Sequence, residues 1–250
     1  MPMNWSGTPV NDSGQLLAEL AHSTARVLAA VAALDDTAVR APSTLAGWSR
    51  AQVITHLTGA AEAYLRLLAL ARTGVEPAPR VDAATSADVV RQEAARPAAE
   101  LVAGLRDRLE RLADATAAMP AERWDTLVTA LAGWRHPAWF TLYRCWRELE
   151  THHVDLDVGY RPVDWPEAYV AWALPETLAA LTARAFPLAR VTAVDLGRGW
   201  TVAETGPVVS GEGHALLGWL SGRLDGAALT SDAPLPQPPT WPQPPFPGWN

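Results

Sequence analysis

The sequence predicts an α+β protein, a four-helix bundle followed by a small α/β unit. Three observations predict it. Four stretches before residue 160 repeat apolar residues at helical spacing. Beyond Asp164-Trp165-Pro166 the pattern changes to short β-type runs separated by glycine-containing turns. With 250 residues, 49% of them hydrophobic and 19% charged, the chain is an ordinary globular one, long enough for two modest domains.

The first helix spans about Ser13 to Leu34, with Leu16, Leu17, Leu20, Val27, Leu28, Val31 and Leu34 at helical spacing and Asp12 or Ser13 as cap. His22 within it reads as a partly exposed helix residue. A loop with Pro42 and Gly47 leads to the second helix, which Ser49 caps and Gly74 stops after Thr73. His56 on this helix lies within a turn of Val53, Leu57 and Ala60, the side expected to face the core; a neutral core histidine with one hydrogen bond is one reading of it.

The segment from Gly74 to Thr85 is rich in Pro and Ala and reads as a connection. Helical spacing resumes from Ser86 to Met119, and Pro97 should kink or split that helix. Its charged run, Arg106 to Arg111, reads as a solvated face with i,i+4 pairs. After Pro120 an irregular tryptophan-containing stretch leads to the fourth helix, with Pro137 in its first turn, Gly159 as its stop, and His136 in the loop outside it.

The first domain is drawn over 1–163 and the second over 164–250. The second begins with a helix from about Glu167 to Ala185. Strands at 190–196, 199–202 and 207–210 and a helix from about Gly213 to Leu220 follow. The Pro-rich tail from Pro234 to Asn250 should be extended, a strap whose Trp241, Phe246 and Trp249 pack on the body.

Composition narrows the function. The net charge is −7, and the 20 basic residues, all arginine, are scattered, which argues against a nucleic-acid surface. Absence of lysine with abundant Ala, Arg and Pro has the bias of a GC-rich bacterial genome. A single cysteine, Cys145, excludes an intramolecular disulfide. With no leader pattern and no membrane-length apolar run, a cytoplasmic monomer or small homo-oligomer acting on a small molecule is expected.

The chemistry concentrates in Arg147 to Leu156. On a helix, Glu148, His152 and Asp155 fall at i, i+4 and i+7 and share one polar face. Two ligating side chains one turn apart can grip a metal ion if a third donor arrives from another helix, and His56 is the candidate. Two nitrogens and a carboxylate oxygen suit zinc and leave a fourth position open for a water or a thiol. Arg144 and Asp155 are candidates to support the ligands from behind. Other readings stay open at this stage. Arg144, Glu148, His152 and Asp155 could form an exposed face laced with charge pairs. Glu150 and His153 have the Glu-x-x-His spacing of di-iron bundles, but no second copy exists to complete such a site. Cys145, about 60° around the helix from Glu148, could approach the site or be a buried, inert thiol.

Several segments together resemble the mycothiol-dependent maleylpyruvate isomerase family: Gly47-Trp48-Ser49 with His56 on the next helix, Arg147-Glu148 with His152-His153-Val154-Asp155-Leu156, Asp164-Trp165-Pro166, and Gly218-Trp219-Leu220-Ser221-Gly222-Arg223. The likeness covers nearly the whole chain. It implies a DinB-like bundle with a small α/β C-terminal domain, zinc on His56, Glu148 and His152, and an arginine of the second domain, matched by Arg223, reaching into the site. It also implies mycothiol, the small thiol of actinobacteria, as cosubstrate. The implied reaction is cis–trans isomerisation of maleylpyruvate by reversible thiolate addition, with Arg223 on a carboxylate or a developing enolate. The same bundle and triad also serve thiol S-transferases. Three functions therefore remain in view: a mycothiol-dependent isomerase, a mycothiol S-transferase, and a non-catalytic DinB-like binding module.

Overall fold

The computed structural model describes residues 13–77, 83–130 and 133–238. These residues divide into two compact units between Gly159 and Tyr160. Asp12, Trp241, Phe246 and Trp249, which figured in the cap and tail expectations, lie outside the described residues.

In the first unit α1 (Ser13–Ala32) buries Leu16, Val27, Leu28 and Val31, the apolar stripe expected of it. His22 is exposed. The short helix α2 (Asp36–Arg40), which has too few residues to show a period, starts where the Asp35 carboxylate accepts from the Ala38 amide at 2.7 Å. α3 (Arg50–Thr73) begins in a capping box: the Gln52 amide donates to Ser49 Oγ and the Ser49 amide donates to Gln52 Oε1 at 2.8 Å. It ends at Gly74, whose φ of 73° is the left-handed conformation that closes a helix onto its own carbonyls.

Pro97 splits the next helical stretch into α4 (Ala83–Glu93) and α5 (Ala98–Ala117), since its ring and missing N–H forbid a continuous ladder. The solvated face of α5 carries Arg111 on Asp107 at i,i+4, and Arg108 also reaches Glu62 of α3 at 2.7 Å.

The sequence expectation fails for the next segment. Pro137 does not open a helix, and His136 is not in a loop. Both lie in a two-stranded antiparallel hairpin, β1 (Leu127–Thr129) and β2 (Arg135–Pro137), with His136 opposite Val128. Proline is tolerated there because the strand has only one neighbour and its missing N–H breaks no second ladder. α6 (Phe140–Asp155) therefore starts later than expected. It also stops before Val158, with Asp157 at φ 53° and Gly159 at φ 96° turning the chain.

α1, α6, α3 and α5 pack in a ring, each against the next, and the hairpin lies on α3 and α6. The core between them includes Val53, Ile54, Leu57, Leu105 and Leu149, all essentially sealed from solvent. Each such side chain contributes about 1.5–3 kcal/mol relative to exposure.

The second unit starts at Tyr160. α7 (Glu167–Thr182) carries Pro175 inside it, and α8 (Gly213–Leu220) packs on α7. A four-stranded sheet of order β4-β3-β5-β6 is built from β3 (Arg190–Ala193), β4 (Arg198–Thr201), β5 (Val208–Gly211) and β6 (Thr230–Ser231). β3 and β5 are parallel and the other pairs antiparallel. β6, two residues long, has too little pattern to be read in sequence. No helix among the described residues is long and apolar enough to cross a membrane.

The Ser49 capping box fixes the start of the helix that carries His56. Ser49→Ala should lower stability by about 1 kcal/mol, read as a drop in the thermal unfolding midpoint; an unchanged midpoint would show that tertiary packing alone holds that end.

Candidate metal centre

α3 and α6 pack together, and each delivers an imidazole to one point. Glu148 and His152 stand one turn apart on α6, and His56 lies on the second turn of α3. The Nε2 atoms of His56 and His152 each lie 3.1 Å from Glu148 Oε2. The two rings meet at 71° with centroids 4.6 Å apart. One ligand atom from each residue lies within 4.8 Å of the other two, and among the described residues no other His, Cys, Asp or Glu side chains form such a group. Donors around a tetrahedral zinc at its usual bond lengths are about 3.4 Å apart. The triad therefore fits one small ion by both donor chemistry and spacing.

Burial separates this arrangement from an exposed charge-paired face. The Asp155 side chain is 1% exposed, that of His152 11% and that of Glu148 27%. His56 departs from expectation in the other direction: at 36% exposure it sits at the rim of the bundle, not in the core. The reason is helical register. Val53, Leu57, Ala61 and Tyr64 form the buried stripe, whereas His56 lies beside it on the line of Gln52 and Ala60, its ring against the edge of Trp48 at 6.0 Å.

Support from behind is explicit on the α6 side. His152 Nδ1 donates to Asp155 Oδ2 at 2.8 Å, which fixes the ring and leaves Nε2 facing Glu148. Thr44 holds Asp155 in turn, its Oγ1 donating to Oδ1 at 3.1 Å and its amide to the Asp155 carbonyl at 2.9 Å. Burial opposes charge on His152, but the hydrogen bonds to Asp155 and Glu148 outweigh it and raise the imidazole to about 9. Burial likewise opposes charge on Glu148, yet the hydrogen bonds from His152 and His56 hold its carboxyl well below the usual range. Glu148 is thus an anion between the two imidazoles, at the point where a metal ion would be held.

The other oxygen of Glu148 is held separately. Tyr64 Oη, on α3, donates to Oε1 at 3.3 Å, so the carboxylate presents only Oε2 to the imidazoles. Burial first, and then the neighbouring Glu148 charge, push the Tyr64 hydroxyl well above its ordinary value and keep it a donor. Over the Tyr64 ring lies the Arg144 guanidinium, 5.1 Å from the centroid, with Trp134 at 4.8 Å. Arg144 Nη1 donates to His136 Nε2 at 3.2 Å, and His136 Nδ1 donates to the Pro137 carbonyl at 2.8 Å. Burial lowers His136 to about 4, so this histidine is neutral and accepts the arginine proton. Arg144 therefore does not touch the triad; it borders Tyr64, which does. Tyr64 and Thr44 carry no signal in the sequence, since each joins the site across more than 80 residues, whereas Trp48 belongs to the Gly47-Trp48-Ser49 segment of the resemblance.

The remaining candidates fall elsewhere. Glu150 accepts from Arg26 at 2.6 Å and from Ser23, which also accepts from Trp146 Nε1, so it serves the α1 contact. Cys145 is buried, and burial with the nearby Glu148 charge pushes its thiol far up, leaving it protonated and a poor competitor for a metal. Arg223 belongs to the second unit, just after α8, where Nη1 donates to the Ser221 carbonyl at 2.6 Å.

The family described as Mycothiol maleylpyruvate isomerase N-terminal domain matches residues 20–157, a span that contains the whole triad. No curated protein matches the chain. Among solved structures, a crystal structure of the mycothiol-dependent maleylpyruvate isomerase is 23% identical, with a TM-score of 0.85 over 91% of this chain and 96% of that one. A mutant form of it, with one histidine replaced by alanine, gives 22% identity and a TM-score of 0.84 over the same shares. At that identity the likeness is one of fold.

Two outcomes test the centre. Asp155→Asn should weaken zinc binding roughly 10- to 100-fold in a chelator competition, with the fold kept; unchanged affinity would make Asp155 a packing residue only. Because His152 holds its proton up to about 9 in the metal-free protein, zinc uptake near pH 7 should release about one proton from it. Affinity should therefore rise with pH and level off above 9, as read by calorimetry in buffers of different ionisation enthalpy.

Proposed function

The chain belongs to the mycothiol maleylpyruvate isomerase family, and on that premise we propose that it is a zinc-dependent enzyme that uses mycothiol to isomerise the cis double bond of maleylpyruvate or a closely related unsaturated acid. The observation that carries this reading is the convergence of His56, Glu148 and His152 on one point, two nitrogens and one oxygen, a set that would leave one position of a tetrahedral ion for a further ligand. When bound, zinc would keep the thiol as thiolate at neutral pH, and reversible addition of that thiolate turns the double bond into a rotatable single bond.

The rest is work for the chain's own residues. Glu148 supplies the negative charge of the ligand set and is kept monodentate by Tyr64. Asp155 fixes the His152 tautomer and raises the basicity of its Nε2. The rim position of His56, beside Trp48, leaves the site open to solvent on that side for small molecules to enter. Cys145, kept protonated by burial, does not compete with an external thiol. Arg223 is proposed to bind a substrate carboxylate or the developing enolate; what supports it is the resemblance of the Gly218 to Arg223 segment.

The test is zinc content and turnover of the purified protein beside His56→Ala and His152→Ala. The parent should hold about one zinc per chain and convert maleylpyruvate to the trans isomer only when mycothiol is present. Both variants should lose the zinc and the activity. A zinc protein that yields a stable thioether with mycothiol would be an S-transferase instead, and a parent that takes up no zinc would leave a binding module.

A further inference from the structure

Arg144 is the least conventional cation in the helical unit. Several arginines of that unit meet carboxylates, as Arg26 meets Glu150, Arg50 meets Asp157 and Arg108 meets Glu62, whereas Arg40 meets backbone carbonyls. Arg144 has no carboxylate partner among the described residues. Its guanidinium lies against the rings of Tyr64 and Trp134 and gives a single hydrogen bond, to the His136 nitrogen. A guanidinium has five N–H donors. Arg144 is partly buried, and none of its nitrogens is a sealed donor without a partner.

This placement is built, not incidental. The hairpin supplies Trp134 and His136, α3 supplies Tyr64, and together they hold a partly buried side chain in one orientation. Aromatic faces steady a guanidinium while leaving its in-plane donors free, and that planar fork matches a carboxylate. On α6, Arg144 stands one turn before Glu148, and both border Tyr64, Glu148 at the hydroxyl and Arg144 at the ring. One helical turn is about 5.4 Å, so Arg144 and Glu148 project from neighbouring positions on one face of α6.

We infer that Arg144 is a specificity residue of this site, an anchor for one carboxylate of the substrate supplied by the helical unit itself. The inference rests on the reading of the triad as a zinc and thiol site for an unsaturated acid, and it adds which side chain selects the acid. Held against the two rings, the guanidinium would offer its remaining in-plane donors to a planar carboxylate, and the acid's double bond would then lie towards Glu148.

The test uses the full-length, zinc-loaded protein and maleate, a cis diacid, as probe, titrated by calorimetry without thiol. Arg144→Gln should bind maleate roughly 10- to 100-fold more weakly than the parent at unchanged zinc content, and Arg144→Lys should recover part of the loss. A parent that binds maleate no better than its dimethyl ester, or an Arg144→Gln variant that binds it as tightly as the parent, would overturn the inference. If the variants do not fold, the side-chain Nε resonance of Arg144 in the parent gives the answer: it should move on maleate addition, and a resonance that stays put overturns the assignment. The two readings fail separately. Arg144-dependent maleate binding without isomerisation removes the proposed reaction and leaves this anchor standing, whereas isomerisation with an unchanged KM in Arg144→Gln removes only the anchor.

Discussion

Everything in the helical unit converges on one oxygen. Glu148 Oε2 is shared by two imidazole edges from two helices, each at 3.1 Å. Taking a carboxylate charge out of water is costly unless donors replace the water, and the donors from α3, His56 and Tyr64, reach the partly buried Glu148 only when α3 and α6 stand in one register. The chain invests in that register. Arg50, at the start of α3, donates from Nε to the Leu156 carbonyl and from Nη2 to the Asp157 carbonyl, both at 2.7 Å, and so caps the end of α6. Thr44, in the loop before α3, ties Asp155 to the same junction. The start of one ligand helix is thereby fastened to the end of the other.

A second set of contacts serves the other oxygen. Tyr64 takes Oε1, Arg144 covers Tyr64, and His136 and Trp134 of the hairpin hold Arg144. The hairpin is thus more than a connection between helices: its buried, neutral histidine determines where a cation stands beside the ligand set. The consequence is a centre in which one oxygen of the carboxylate and one nitrogen of the α6 imidazole are held from behind, the other oxygen faces both imidazoles, and the chain's own thiol is protonated and out of play.

The legible part of this protein was whatever local chemistry dictates. Ser49 with Gln52 and Gly74 mark the ends of α3, Pro97 breaks α4 from α5, and the i,i+4 spacing of Glu148 and His152 puts two donors on one face. His56 is the candidate third donor because it lies among the apolar residues of its helix whereas His22 of α1 does not, yet the structure sets it at the rim, one position of register from the core. What stayed hidden depends on contacts between distant segments. Three-residue strands show no alternation, so β1 and β2 were missed and Pro137 was taken for a helix start. Tyr64 stands 84 residues from Glu148 in the chain, and only the packed structure shows its hydroxyl on that carboxylate.

The central claim is that His56, Glu148 and His152 alone hold a zinc ion and leave it a position for an external thiol. X-ray absorption at the zinc edge of the purified protein, before and after mycothiol is added, tests it most directly. The account predicts a first shell of nitrogen and oxygen only, with the signature of two imidazoles, gaining one sulfur at about 2.3 Å when the thiol is present. A sulfur ligand already there without added thiol, or a shell that mycothiol does not change, would contradict it.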